Sequence, residues 1–161
     1  MLPAIFVRSR GLSKLYNRLF APLLAKYGLA QTEADILLFL ANNPEYDTAH
    51  DIVEQRHLAK SHISAGVEVL AARGLLERCQ REGNRKTIHL RLTEAAAPII
   101  KEGRSLQRRY GRLLFAGLSN EEVRQLMRLL DRVAQNVDAA LEQDGMPLPP
   151  AAGKEKACTN L

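Results

Sequence analysis

The hydrophobic period of this chain changes between residues 59 and 92, and that change restricts its fold more than any other feature. Ile63, Val67 and Leu70 recur at i, i+4 and i+7, the spacing of a helix with one buried face. That pattern predicts a helix over 59–73, stopped at Gly74. Further on, Ile88, Leu90 and Leu92 alternate with Thr87, His89 and Arg91, which is the period of a half-buried strand. Strands are predicted over 76–80 and 86–92. Between them lies Arg81-Glu82-Gly83-Asn84-Arg85, a hairpin tip, since Gly and Asn tolerate positive φ.

Helical patterns flank this unit. Leu12, Leu15, Tyr16, Leu19 and Leu23 mark a first helix over 3–27, with Phe20, Leu24 and Tyr27 widening its stripe enough to need cover on two sides. Pro22 should cost that helix one backbone bond. Gly28 ends it. Ile36 to Leu40 form the buried heart of a helix over 31–42. Asn42-Asn43-Pro44 breaks it. A short helix over 48–55 follows, with Thr48 as N-cap, and the turn Arg56-His57-Leu58 joins it to the helix at 59. After the strands, Thr93 is expected to cap a helix over 93–116. Ser119 with Glu122 three residues on is a capping box opening a helix over 120–143. The residues after 143 are rich in Pro, Ala and Lys and lack a core pattern, which predicts a disordered tail over 144–161. The expected fold is mostly α with a small β-hairpin: a winged helix-turn-helix over 30–92 flanked by long dimerisation helices over 3–27 and 93–143, all in one domain over 1–143.

Composition adds a location for the charge. The chain carries +5 overall. Residues 56–91 hold eight cations (Arg56, Lys60, Arg73, Arg78, Arg81, Arg85, Lys86, Arg91) against Glu68, Glu77 and Glu82, so this stretch accounts for the whole excess. A compact basic block on a neutral scaffold is the footprint of a polyanion binder. No apolar run approaches a membrane span, and the first ten residues do not form a signal peptide. Cys79 and Cys158 fit no disulfide or metal spacing. Together these imply a reduced, cytoplasmic setting. His50, His57, His62 and His89 form no ligand cluster, so no metal or cofactor is expected. The sequence holds no nucleophile elbow, P-loop, zincin helix or dinucleotide turn, and no enzyme is indicated.

The second helix of the pair must bury one face and offer the other. Lys60, Ser61, His62, Ser64 and Ala65 lie on the outside or near its start, where recognition helices meet base edges. Lys can donate to guanine O6 or N7, and Ser and His can bond bases or phosphates. Small Ser64 and Ala65 permit close approach. Glu68 is either an acceptor for cytosine N4 or an ordinary solvent-face residue. His57 is a turn residue of a type that tolerates positive φ, and His50 and His89 are assigned to surface or wing positions. Cys79, beside Arg78 and Arg81, is read chiefly as a small strand residue, with oxidation as the alternative.

Taken together, "DIVEQRHLAKSHISAGVEVLAARGLLER" (51–78) and "NRKTIHLRLTEAA" (84–96) resemble the MarR family of bacterial regulators. The resemblance extends over residues 12–141. It implies six helices with a wing between the fourth and fifth, and a homodimer on a pseudo-palindromic double-stranded DNA site, usually released by a small ligand or an oxidant. It also aligns Arg85 with a wing arginine that enters the minor groove, where a narrow groove concentrates negative potential. Arg81 and Lys86 accompany it. Two departures stand out: Asn84 replaces the usual acidic residue before this arginine, and Lys86 replaces a second arginine and cannot form a bidentate fork.

In the last helix, Val123, Leu126, Leu130, Val133, Val137 and Ala140 follow an alternating three-four spacing, the seam of paired helices. Leu12, Leu15 and Leu19 are assigned to the same isologous interface. A small-molecule effector would involve the region of Ser13, Tyr16 or Tyr110. The expected function is a ligand-responsive, DNA-binding repressor. The alternative is a winged-helix protein-interaction module that reads no DNA.

Overall fold

Among the described residues, three glycines in the left-handed region punctuate the chain. Gly28 (φ 59°), Gly74 (φ 66°) and Gly117 (φ 84°) each follow a helix, at positions where a Cβ would be strained. The computed structural model describes residues 2–56, 59–81 and 84–142, with side chains described for 10–56, 59–80 and 87–140. The elements are α1 (Leu2–Tyr27), α2 (Gln31–Asn42), α3 (Ala49–Arg56), α4 (Lys60–Ala72), β1 (Leu76–Arg81), β2 (Asn84–Leu92), a 3-10 turn (Glu94–Ala96), α5 (Ala97–Leu114) and α6 (Asn120–Glu142). This is the mostly helical architecture with one hairpin that the period change predicts. The expected tail, the turn residues His57 and Leu58, and Cys158 lie outside the described residues. The chain divides into two compact units, Met1–Ala116 and Gly117–Leu161.

In the first unit, Ile36 to Leu40 of α2 are all buried, as expected. They are joined by Phe20 and Leu23 of α1, Ile52 of α3, Ile63, Val67 and Leu70 of α4, and Ile99 and Ile100 of α5. Pro22 sits inside α1 without ending it. Two glycines let helices approach closely. A Cβ on Gly66 of α4 would lie 2.6 Å from Ile36 Cδ1, and one on Gly103 of α5 would lie 2.8 Å from a Leu38 methyl. Both distances are shorter than real Cβ contacts, so a side chain at either position would require the Ile36 or Leu38 methyl to shift.

The hairpin pairs Leu76 with Leu92 and Cys79 with His89, antiparallel, with an irregularity between Cys79 and Arg81. The simple alternation expected for β2 fails in one respect. Ile88 is 48% exposed, while His89 is only 9% exposed and Leu90 is buried. The cause is the segment before α3. Leu90 N–H donates to Asp47 O at 2.6 Å, and Thr48 bridges His89. That segment lies against β2 and covers His89, which is therefore in the wing but not on the surface.

Two caps behave as their sequence suggests and one does not. Asp51 N–H donates to Thr48 Oγ1 at 3.1 Å, and Thr48 N–H donates back to Asp51 Oδ2 at 2.9 Å. Ser119 N–H donates to Glu122 Oε2 at 2.7 Å, which opens α6 and holds the Glu122 carboxyl below its ordinary range. Thr93 does not cap α5. Its hydroxyl donates instead to Gly74 O at 2.7 Å, and α5 begins later, with a proline in its first turn.

Candidate nucleic-acid interface

The helix-turn-helix is built from α3 and α4. Ile63, Val67 and Leu70 anchor α4 in the core, and the same helix turns Lys60, Ser61, His62, Ser64 and Ala65 outward. The structure thus brings all five predicted residues to one exposed face at the start of one helix. Ala59 precedes that helix without any side-chain cap. The Ala59 carbonyl accepts from His62 N–H at 3.0 Å and from Ile63 N–H at 3.3 Å, which opens α4.

The basic block is smaller than its residue count. Arg78 donates to Glu68 Oε2 at 2.7 Å, which holds that carboxyl below its ordinary range. Glu68 is thus paired with Arg78 at the surface of the chain. Arg91 donates to Glu77 Oε2 at 2.6 Å. Arg73 donates to Gly28 O at 2.8 Å and to Tyr27 O at 2.6 Å. Among the described side chains of the block, Arg73, Arg78 and Arg91 thus have acceptors within the fold. Lys60 stands on the exposed face, whereas the side chains of Arg81, Arg85 and Lys86 lie outside the described residues.

The wing is tied to the body at its root. His89 Nδ1 lies 2.7 Å from Asp47 Oδ1; a carboxylate only accepts, so Nδ1 carries the proton. Cys79 Sγ lies 3.6 Å from His89 O. Asp47 was missed in the sequence because its partner lies 42 residues away and no local spacing reveals it.

Two of the residues assigned to an effector region, Tyr16 and Tyr110, are in contact. Tyr16 Oη donates to Asp35 Oδ1 at 2.9 Å. Burial, then the Asp35 charge, push this phenol well above its ordinary pKa. The Tyr16 and Tyr110 rings meet edge to face at 5.3 Å, and Tyr110 Oη donates to Leu12 O at 3.1 Å. The Gln31 Oε1 atom beside this cluster is buried and has no hydrogen-bond partner among the described residues. Among the described residues no group of His, Cys, Asp and Glu could hold a metal ion, and no helix is long and apolar enough to cross a membrane.

Residues 27–86 match the model described as "MarR family". That stretch is similar to MarR-family sequence. No curated protein matches the chain significantly. Solved MarR-type structures share its fold at low identity. A putative MarR family transcriptional regulator from Listeria monocytogenes, complexed with 26mer DNA, is 20% identical, with 92% of this chain and 97% of that one covered at a TM-score of 0.75. CouR from Rhodococcus jostii RHA1, bound to p-coumaroyl-CoA, is 19% identical over 83% and 91%, TM-score 0.68. Bordetella bronchiseptica BpsR, whose DNA binding is regulated by 6-hydroxynicotinic acid, is 18% identical over 81% and 98%, TM-score 0.64. The fold is that of the MarR winged-helix transcription regulators.

In α6, the seam residues Leu126, Leu130, Val133 and Val137 are exposed, and Leu129 and Met127 beside them are exposed too. On α1, Leu12 is exposed while Leu15 and Leu19 are half-buried.

Proposed function

We propose that this MarR-type chain is a transcriptional repressor that binds a pseudo-palindromic operator as a homodimer. The observation that carries the reading is the face of α4: Ile63, Val67 and Leu70 are buried while Lys60, Ser61, His62, Ser64 and Ala65 are exposed at its start. A helix held in this way presents base-reading side chains to a major groove. The wing residues Arg81, Arg85 and Lys86 supply the minor-groove and phosphate contacts. The exposed stripes of α1 and α6 support the dimer, since an apolar seam of this length is covered by a second helix. Two-fold symmetry then sets the recognition helices about one DNA turn, ~34 Å, apart.

A small-molecule effector belongs to the same proposal. CouR and BpsR, which share the fold, are described with p-coumaroyl-CoA and 6-hydroxynicotinic acid respectively. The Tyr16–Asp35–Gln31 cluster, with its unpartnered buried oxygen, is where a polar ligand group would be accepted. The test is a fluorescence anisotropy titration of duplexes recovered by selection from random DNA. Specific binding that weakens steeply with salt supports the reading. Binding that is undetectable or insensitive to salt overturns it and favours a protein-interaction module.

A further inference from the structure

Most of what holds α4 in place is apolar contact, which is non-directional and fixes depth better than tilt. One polar contact at its far end is directional. Arg73 is the residue after α4, followed by Gly74 in the left-handed region. Its guanidinium crosses to the end of α1, where Nη1 donates to Gly28 O and Nη2 to Tyr27 O, at 2.8 and 2.6 Å. A helix C-terminus leaves its last carbonyls without intrahelical donors and carries the negative end of the helix dipole. A planar fork with a fixed charge matches two adjacent carbonyls better than any other side chain. Glu33 Oε2 lies 3.9 Å from the same guanidinium and also accepts from Ala30 N–H at 3.0 Å, at the start of α2.

The end of α1 is itself fastened. Tyr27 Oη donates to Glu102 Oε1 of α5 at 2.9 Å, and Lys26 reaches the same carboxylate at 2.5 Å. One guanidinium thus joins the ends of α4 and α1 and the start of α2, and α1 is anchored in turn to α5.

We propose that Arg73 is a positioning residue that sets the tilt of the α4 reading helix against the C-terminus of α1, without touching DNA. A rotation of α1 then moves α4 as well. The inference rests on the DNA-binding reading for its consequence, but not for its geometry. Replacing the bidentate fork by one ammonium, Arg73→Lys, keeps the charge and loses one of the two bonds. Arg73→Ala loses both.

Both variants are measured in the full chain by anisotropy on the selected duplex across a salt series, and by hydrogen exchange of the free protein. Arg73→Ala is expected to weaken specific binding about tenfold, the worth of a charge-assisted pair, with the salt slope unchanged. Arg73→Lys is expected to fall between Ala and the parent chain. In the free protein, amides of α4 should exchange faster in Arg73→Ala while those in the middle of α2 stay as they are. Wild-type affinity in Arg73→Ala overturns the inference. So does a salt slope lower by about one, which marks a direct phosphate contact. If the parent chain binds no DNA, the regulator reading fails, and hydrogen exchange alone decides the role of Arg73: unchanged α4 exchange overturns it.

Discussion

The reading head and α6 use amphipathic helices in opposite ways. In α4 the apolar face is spent inside the chain, on Ile36 and its neighbours, and the exposed face is small and polar. In α6 the apolar face stays exposed: Val133 is 57% and Leu130 51% accessible. The difference teaches which requirement each region answers. A helix whose core contacts are complete can give its free face to a chemically specific partner. A helix with an exposed apolar seam needs a second apolar surface, because most helical stability in water comes from packing rather than propensity.

The contrast breaks most sharply at α6. Leu130→Asp combined with Val133→Asp should convert the proposed dimer to a monomer in sedimentation and abolish operator binding, while the first unit keeps its helical circular dichroism. A dimer that survives both charges would place the interface elsewhere. Ile63→Ala should destabilise the reading head by about 2–5 kcal/mol, the cost of emptying a fully buried site, as read by urea unfolding; a change below about 1 kcal/mol would mean that α4 is not anchored through this residue. Lys60→Ala and Arg85→Ala should each weaken specific binding about tenfold and leave the dimer intact. If both leave anisotropy unchanged, the assigned face is not the interface. The smallest expected effect is at the start of α6. The Glu122 carboxyl is held below its ordinary range by the Ser119 N–H, so this cap contributes above the ordinary carboxylate pKa and is lost as pH falls through the lowered value. Protection of the first-turn amides, taken relative to the intrinsic exchange rate at each pH, should fall there in the parent chain, and Ser119→Ala, which removes the hydroxyl that accepts from Glu122 N–H, should show the lower protection already at neutral pH.

Local chemistry made most of the fold legible. α2 starts and stops at the residues its flanking signals indicate, and the change of period places the hairpin within a few residues. The face of α4 was legible for the same reason, since three apolar residues at helical spacing leave only one outward side. The rest depends on partners distant in sequence. The inward position of His89 is set by Asp47 and Thr48, and strand alternation alone sends that ring to solvent. The charge of Glu68 is spent on Arg78 across the turn, and Thr93 gives its hydroxyl to Gly74 rather than to α5. Arg73 counts as one more cation in a basic block, whereas in the fold it is a tie between helix ends. No spacing rule distinguishes a cation that faces solvent from one that faces a carbonyl.

The central claim is that the exposed start of α4 and the wing read a two-fold DNA site. Selection of bound duplexes from a random library, followed by titration of the enriched sequence across a salt series, tests it most directly. The account predicts an inverted repeat with half-sites about one turn apart and a Kd that rises steeply with salt. Enrichment of no sequence, or an enriched sequence without two-fold symmetry, would contradict it.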